Sequence, residues 1–264
     1  MKERLRKLPM VRPLYLSAKR ALLLIQFRRD FHRFKKLFAE AEKVGMPKRF
    51  DLQWKDRWPC LFDQNNTITF EPHYTYHPAW AARILAQTHP ESHVDIGSTL
   101  PFIVIVSAFI PIDYYEWRPP DLKLTGLKCG HANLLSLPFE DNSIHSLSCM
   151  HTIEHIGLGR YGDPVDVHGD LKAISELERV LSPGGDLLFV VPIGSTAMIM
   201  YNGQRTYSYQ VVMDAFRDLT LMEFALILED ASGIVYQDEA REKVVDQKQG
   251  CGCFWFKKPV ASVA

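Results

Sequence analysis

Apolar positions recur in distinct rhythms along the chain, and each rhythm predicts a different kind of element. Within residues 1–45, Leu23, Leu24, Phe27, Phe31, Phe34 and Phe38 fall at helical spacing, with Arg28, Arg29, Arg33, Lys35 and Lys36 interleaved. That is the pattern of an amphipathic basic helix, with breaks expected near Pro9 and Pro13 and an end at Gly45 and Pro47. Residues 46–78 carry Phe50, Trp54, Trp58, Phe62, Phe70, Tyr74 and Tyr76 without a period, and read as a loop-rich aromatic cover that either packs or closes over a ligand. A helix is predicted over Pro78 to Gln87, with Pro78 in its first turn and Tyr74 and His77 just before it.

From residue 92 the rhythm changes to short apolar runs bounded by turn residues. Residues 92–96 form a buried strand, Gly97-Ser98 a turn, and Phe102 to Ile110 a short helix, led by Pro101, that is apolar on nearly every face. Strands follow at Ile112 to Tyr115, at Leu122 to Cys129 on an edge, and at Ile144 to Cys149. Asp166 to Leu181 reads as a helix with Leu171, Ile174, Leu177 and Leu181 on one face. Pro183-Gly184-Gly185 then turns the chain into a buried strand, Asp186 to Pro192. The tail adds a helix (Ser208 to Asp218), a strand (Leu219 to Leu228) and a last strand (Cys253 to Lys257). Strands alternating with helices predict an α/β fold with a parallel, doubly wound sheet. Two parts are expected: the basic arm with its aromatic cover over residues 1–69, and the α/β domain over residues 70–264.

Composition refines this picture in three ways. A chain of 264 residues that is 47% hydrophobic can hold one α/β domain plus an extension. Its formal net charge is zero, which argues against a dedicated nucleic-acid binder, but residues 1–50 hold fifteen Lys/Arg against four Asp/Glu. The arm is therefore basic and the body acidic. Two readings of the arm stand side by side, a helix packed on the body with a solvated basic face and a peripheral contact with an anionic membrane surface. Five cysteines, an odd number without zinc-like spacing, read as reduced thiols of a cytoplasmic protein. The apolar runs fall short of the ~18 to 20 residues a span needs, and no leader with a cleavage site is visible, so no secretion is implied.

Candidate chemistry gathers at the predicted strand ends. Asp95 closes the first strand, and Gly97 allows a backbone path from which the following helix can turn free N–H groups toward a ligand. Glu116 follows Asp95 by 21 positions, the ~20-residue spacing at which an acid takes a ribose hydroxyl pair. Met150-His151-Thr152-Ile153-Glu154-His155 lies at the carboxyl end of the fourth strand, beside a glycine-rich loop over 157–164. Asp163, Asp166 and His168, at a loop-to-helix junction, read as caps, so no metal site is expected.

Asp95-Ile-Gly97, Glu116, Ala132-Asn133 with Leu137-Pro138-Phe139, Glu154-His155 and Leu181-Ser-Pro-Gly-Gly-Asp-Leu-Leu-Phe occur in an order that resembles the class I S-adenosylmethionine-dependent methyltransferases. The match covers roughly residues 70–258. Its start at His93 and its Glu154-His155 loop resemble an uncharacterised family catalogued as a domain of unknown function. The resemblance implies a Rossmann-like seven-stranded sheet whose last strand is antiparallel. It implies S-adenosylmethionine as cofactor, with Asp95, Gly97 and Ser98 at the methionine part and the turn, Glu116 on the ribose, Asn133 beside the adenine amine, and Met150 and His151 on the pocket floor. The glycine turn departs from the family, because Ser98-Thr99-Leu100 follows Gly97.

An alcohol acceptor needs a base, and His155 is the first candidate, with His151 and Glu154 behind it. For His155 a packing or capping role weighs equally. Arg160, Tyr161, Arg205 and Tyr207 offer two-point anion binding and stacking on a sugar face, which suits a small polar or glycan acceptor. The expected activity is O-methylation; the reading set against it is a methyltransferase-like scaffold that has lost its cofactor. The arm generates a separate expectation. The chain should sediment with anionic vesicles in a salt-sensitive way, and deletion of residues 1–45 should abolish this. Sedimentation unchanged by the deletion would refute the membrane reading.

Overall fold

The computed structural model describes residues 11–47, 50–63 and 70–260. The chain divides into two compact units, residues 1–69 and 70–264. In the first, α1 (Val11–Lys43) is one helix that runs through Pro13 without a break, because a proline in the first turn has no intrahelical N–H to lose. Phe27 and Phe31 pack against the ring of Trp54, at 6.0 and 4.9 Å. Arg57 lies over the same indole at 4.7 Å. Leu22, Ile25, Phe34 and Leu37 stay exposed on this helix among its basic residues. No helix among the described residues is long and apolar enough to cross a membrane.

The second unit opens with α2 (Pro72–Thr88), which begins six residues before the predicted start. The Glu71 carboxylate accepts the Tyr74 N–H at 2.7 Å, and Pro72 occupies the first turn. This nucleus lets the helix absorb Pro78 in its interior at the loss of one backbone bond. Tyr74 and His77 therefore stand on a helix, not in a loop before one.

Then come β1 (His93–Ile96), α3 (Leu100–Val106), β2 (Ile112–Glu116), β3 (Leu127–His131) and β4 (Ile144–Met150). The edge strand β3 starts five residues later than predicted. The chain first makes a tight turn, Leu127 N–H to Leu124 C=O at 3.2 Å, and Gly126 holds φ +79° where a Cβ would sit 2.5 Å from the Ser107 carbonyl oxygen. In α3 only one face is buried: Phe102, Ile103 and Val106 pack inward, while Leu100 and Ile105 are exposed.

Helix α4 (Gly169–Val180) begins after Asp166 has bent the chain by accepting the His168 N–H. Its buried face is Asp170, Ala173, Ile174, Leu177 and Val180, and the predicted face residue Leu171 points to solvent. Leu181 opens β5 (Leu181–Ile193) instead of closing the helix. A short hairpin, β6 (Met198–Met200) and β7 (Gln204–Thr206), precedes α5 (Tyr209–Ala215) and β8 (Thr220–Ile227). Next come β9 (Ile234–Tyr236), α6 (Gln237–Lys243) and β10 (Gly250–Lys257). The hairpin, β9 and α6 are too short or too polar to have shown in the periodicity.

The sheet has eight strands in the order β3-β2-β1-β4-β5-β10-β8-β9. The five from β3 to β5 are parallel, and β10 is antiparallel to both its neighbours. This is the expected doubly wound sheet with its antiparallel last strand, extended by the edge strand β9. Both faces are covered, and the side-chain period of two sorts the core. Leu187, Phe189, Val191, Phe224, Phe254 and Phe256 meet α4 and α5 on one face. Leu188, Val190, Ala225, Ile227, Cys251 and Cys253 belong with α2 and α3 on the other.

A buried polar chain crosses the sheet centre. The Asp95 carboxylate is fully buried, accepts the Ser98 N–H at 3.0 Å and makes a short bond with the Ser148 hydroxyl. His93, also fully buried, bonds Ser146 Oγ through Nδ1 and Ser148 Oγ through Nε2, each at 2.8 Å. With its proton given to Asp95, Ser148 can only accept, so His93 carries its proton on Nε2 and accepts from Ser146 at Nδ1.

Burial raises the Asp95 carboxyl to about 6 against the pull of the two serines, and lowers the His93 imidazole to about 3. These shifts have opposite consequences. Ionised Asp95 costs stability above about pH 6, and the cost fades as the pH falls toward 3.8. Between about pH 6.5 and 3 the unfolded chain binds a proton at residue 93 that the folded chain refuses, so the contribution of neutral His93 is lost as the pH falls. Urea denaturation of the native chain and of His93→Gln, whose amide keeps a donor and an acceptor, isolates the second effect. The native advantage should shrink by roughly 5 kcal/mol between neutral pH and pH 3. A difference independent of pH would show that His93 does not set this dependence.

Candidate functional site

The carboxyl ends of β1, β2, β3 and β4 lie side by side, the edge at which open α/β sheets present ligand sites. Gly97 holds the turn after β1 at φ +72°, and its N–H is bonded to Tyr115 C=O at 2.9 Å. A Cβ added there would stand 2.8 Å from the Thr152 side chain and 3.4 Å from Glu116 Oε2. Glycine is thus required both by φ and by the close approach of the two neighbouring strand ends. Glu116 is half-buried at the end of β2, with Oε1 accepting the Trp117 N–H at 2.8 Å. Burial, then the nearby Glu116 carboxylate, raises the Tyr114 phenol beneath it well above its ordinary range.

The cofactor residues expected from sequence divide into two groups. Gly97, Glu116 and Asn133 lie at successive strand ends with polar atoms at or near the surface, although Asn133 Oδ1 already accepts the Leu135 N–H at 3.0 Å. Asp95, Ser98 and Met150 instead bind one another. The Asp95 oxygens are taken by Ser98 and Ser148, and Ser98 Oγ accepts the Met150 N–H at 3.2 Å. These three shape the turn from beneath, and the Asp95 carboxylate is committed before any ligand arrives. Thr99, next along, has a buried hydroxyl without a partner. Phe102 packs under the sheet against His93 at 6.5 Å, so it does not block this edge.

His151, Glu154 and His155 come together just after β4. Glu154 is almost fully buried; its Oε1 accepts from His151 Nδ1 at 2.8 Å and lies 3.9 Å from His155 Nε2, while its Oε2 has no partner. His155 Nδ1 donates to Gly203 C=O at 2.8 Å, which leaves Nε2 as the free base. His151 holds a left-handed backbone, φ 56°, and its Nε2 meets Cys251 Sγ at 3.3 Å. Burial disfavours a charge on His151, and Cys251 and Glu154 at its two nitrogens overcome it, holding the imidazole above its ordinary range. Burial keeps the Cys251 sulfur a thiol, so the carboxylate supplies the lasting pull.

Of the acceptor residues expected from sequence, Arg160 and Tyr161 are exposed beside His155. The guanidinium covers the Tyr161 ring at 5.1 Å, and that ring meets His155 edge-on at 5.7 Å. Arg205 and Tyr207 are both buried. Arg205 donates to Ile156 C=O at 2.6 Å and pairs with Asp170 at 3.4 Å, while the Tyr207 hydroxyl donates to Asp170 Oδ2 at 3.0 Å. They brace α4 against the loop after β4, and Arg205 Nη2 has no hydrogen-bond partner. Asp163 accepts from Gly157, Gly159 and Tyr161, and Asp166 from His168 and Lys172, so these acids order the loop before α4, while its N-cap, His168, makes no side-chain cap bond.

Sequence reasoning missed His73, which stacks on His151 with ring centroids 5.7 Å apart, and the partnership of Cys251 with His151. His77 meets His151 edge-on at 5.1 Å. The available signals were the spacing of His73 and His77, one helical turn apart on a single face, and that of Cys251 and Cys253, which share one face of a strand. Among the described residues His73, His151 and Cys251 offer ligand atoms within 4.8 Å of one another.

Residues 139–223 match a family described as a Caenorhabditis protein of unknown function, DUF268. A search of curated proteins finds no match. Among solved structures, the N-methyltransferase NodS from Bradyrhizobium japonicum WM9 superposes with a TM-score of 0.52 at 13% identity, covering 72% of this chain and 98% of NodS. The same enzyme in complex with S-adenosyl-L-homocysteine gives 0.51 at 14% identity, over 76% and 92%. At such identity the likeness speaks to architecture, and it agrees with the strand order read above: the chain has the class I S-adenosylmethionine-dependent methyltransferase fold.

Proposed function

We propose that this chain is an S-adenosylmethionine-dependent methyltransferase that methylates a hydroxyl of a small polar or glycan acceptor. One observation carries the cofactor reading: the obligatory Gly97 turn stands beside the half-buried Glu116 at adjoining strand ends. A nucleoside needs both features, backbone that allows close approach and a carboxylate able to accept from two vicinal hydroxyls. The unpartnered Thr99 hydroxyl fits a ligand at the same turn. When bound, S-adenosylmethionine supplies an activated methyl group on a sulfonium.

The chain's own residues then have distinct tasks. Glu116 would hold the ribose, Asn133 would face the adenine amine, and Asp95, through Ser98 and Ser148, would keep the turn in shape. His155 Nε2 would take the proton of the acceptor hydroxyl, its ring oriented by the Gly203 carbonyl and the imidazolium that forms stabilised by Glu154. Arg160 and Tyr161 supply an exposed cation and ring beside the His155 imidazole, which suits a polyhydroxylated or acidic acceptor.

Calorimetry with S-adenosylmethionine tests the cofactor, and Glu116→Ala should weaken binding roughly 5- to 150-fold, the value of ~1 to 3 kcal/mol for hydroxyls left unpaired. No binding at millimolar cofactor, or equal binding by the variant, would sink the assignment and favour a scaffold that has lost the cofactor. For the base, His155→Ala should lower turnover about 100-fold or more while leaving cofactor affinity alone. Unchanged turnover would remove His155 from the mechanism.

A further inference from the structure

We infer that His73, His151 and Cys251 form a three-ligand site for a zinc-class divalent metal ion, with the fourth coordination position turned to the neighbouring cleft. The inference goes beyond the methyltransferase reading and does not depend on it. The ligand atoms come from three separate elements of the second unit: the first turn of α2, the residue after β4, and β10. All lie within 4.8 Å of one another. His151 Nε2 and Cys251 Sγ stand 3.3 Å apart, close to the ~3.6 Å edge that tetrahedral Zn–N and Zn–S bonds of about 2.1 and 2.3 Å would give.

The surroundings of the three are those of a ligating set. Metal-bound histidines characteristically give their second nitrogen to a carboxylate, which fixes the tautomer and raises the basicity of the first. Glu154 Oε1 sits on His151 Nδ1 at 2.8 Å, inside the protein, and leaves Nε2 facing Cys251, the nitrogen that would give up its proton and ligate as the metal enters. Hydrogen bonding among protein atoms does not exhaust the polar groups here. Glu154 Oε2 and His77 Nε2 are both buried without a partner, and His77 touches the His151 ring. A core that closed merely by packing would have paired them or replaced them with apolar groups. Cys251 meets the hard requirement of a zinc ligand once it loses its proton, which leaves for solvent as the metal enters.

His73 also lines an open cleft of about 830 Å³, together with Glu71, Met198, Glu229, Lys248 and Gln249. Three protein ligands with a fourth position open to such a cleft is the arrangement of a zinc that binds water or an incoming ligand, whereas a purely structural site closes with four. Nitrogen and thiolate donors select zinc over magnesium or calcium.

The full chain, expressed without a polyhistidine tag, should retain one equivalent of zinc after dialysis, as measured by plasma mass spectrometry. Cobalt loaded in place of zinc should give a thiolate-to-metal charge-transfer band. His73→Gln and Cys251→Ser should each lose stoichiometric zinc, and Cys251→Ser the band as well, while Cys253→Ser keeps both. Glu154→Gln should weaken zinc binding about 10- to 100-fold without abolishing it. Circular dichroism confirms that each variant is folded. His73 is only partly buried, so its replacement keeps the test decisive if the Cys251 variant unfolds. Zinc absent from the native chain, retained equally by folded His73→Gln, or bound without a thiolate band would each overturn the site. None of these readouts uses S-adenosylmethionine, so failure here and failure of the methyltransferase reading are separate results.

Discussion

A carboxylate buried without a counter-ion organises the site edge of this protein. Asp95 sits in the middle of the sheet with no cation beside it among the described residues, and hydroxyl and amide dipoles from Ser148 and Ser98 hold its charge. That demand fixes its neighbours. Ser148 must donate to it, which forces His93 to donate to Ser148, which leaves Ser146 to donate to His93. Each bond joins β1 to β4 or to the turn above them, so the polar chain doubles as a set of struts. Ser98 completes it by bonding both Asp95 and the backbone of Met150, and so locks the turn to the strand that carries the histidine loop. A partly satisfied network of this kind would be worse than an apolar core, which is why its members are so fully committed to one another.

This commitment explains what could and could not be read from sequence. The parallel sheet was legible because its strands are short apolar runs separated by glycine and proline, and the strand ends carrying Gly97, Glu116 and Asn133 followed from that pattern. The division of labour between the acids was not legible. Asp95 and Glu116 look alike in a sequence, and only burial shows that one faces inward to serines and the other outward. Arg205 and Tyr207 misled for a similar reason. Polar residues after a strand suggest a ligand, yet Asp170, more than thirty residues earlier, faces inward on α4 and engages both. The start of α2 was missed because Pro78 outweighed the quieter cap made by Glu71 and Pro72. The cluster of His73, His151 and Cys251 had no local signature at all, since it exists only once three distant elements are packed.

The loop after β4 is the place where these two polar systems meet. Met150, which ends β4, and Thr152 in the loop belong to the Asp95 struts and the Gly97 turn. The loop's next residues, Ile153 to His155, are placed by Glu154 and the Gly203 carbonyl. His151 adopts a left-handed backbone at the junction, a conformation that a β-branched residue would resist, and its ring meets α2 and β10. Neighbouring residues in the chain thus serve opposite sides of one strand end.

The position of β10 has a consequence for how the protein is made. In the sheet it lies between β5 and β8, yet it follows both in the chain. While residues 250–257 are still inside a ribosome, the five parallel strands can form, but β8 and β9 have no edge to join. The growing chain is left with β5 as an unpaired border and an apolar strand, β8, waiting beside it. Such non-local closure is slow, and exposed borders of this kind invite wrong partners. Residues near the end of the sequence, Cys251 among them, therefore act as the keystone of assembly, and the sheet is whole only after they emerge.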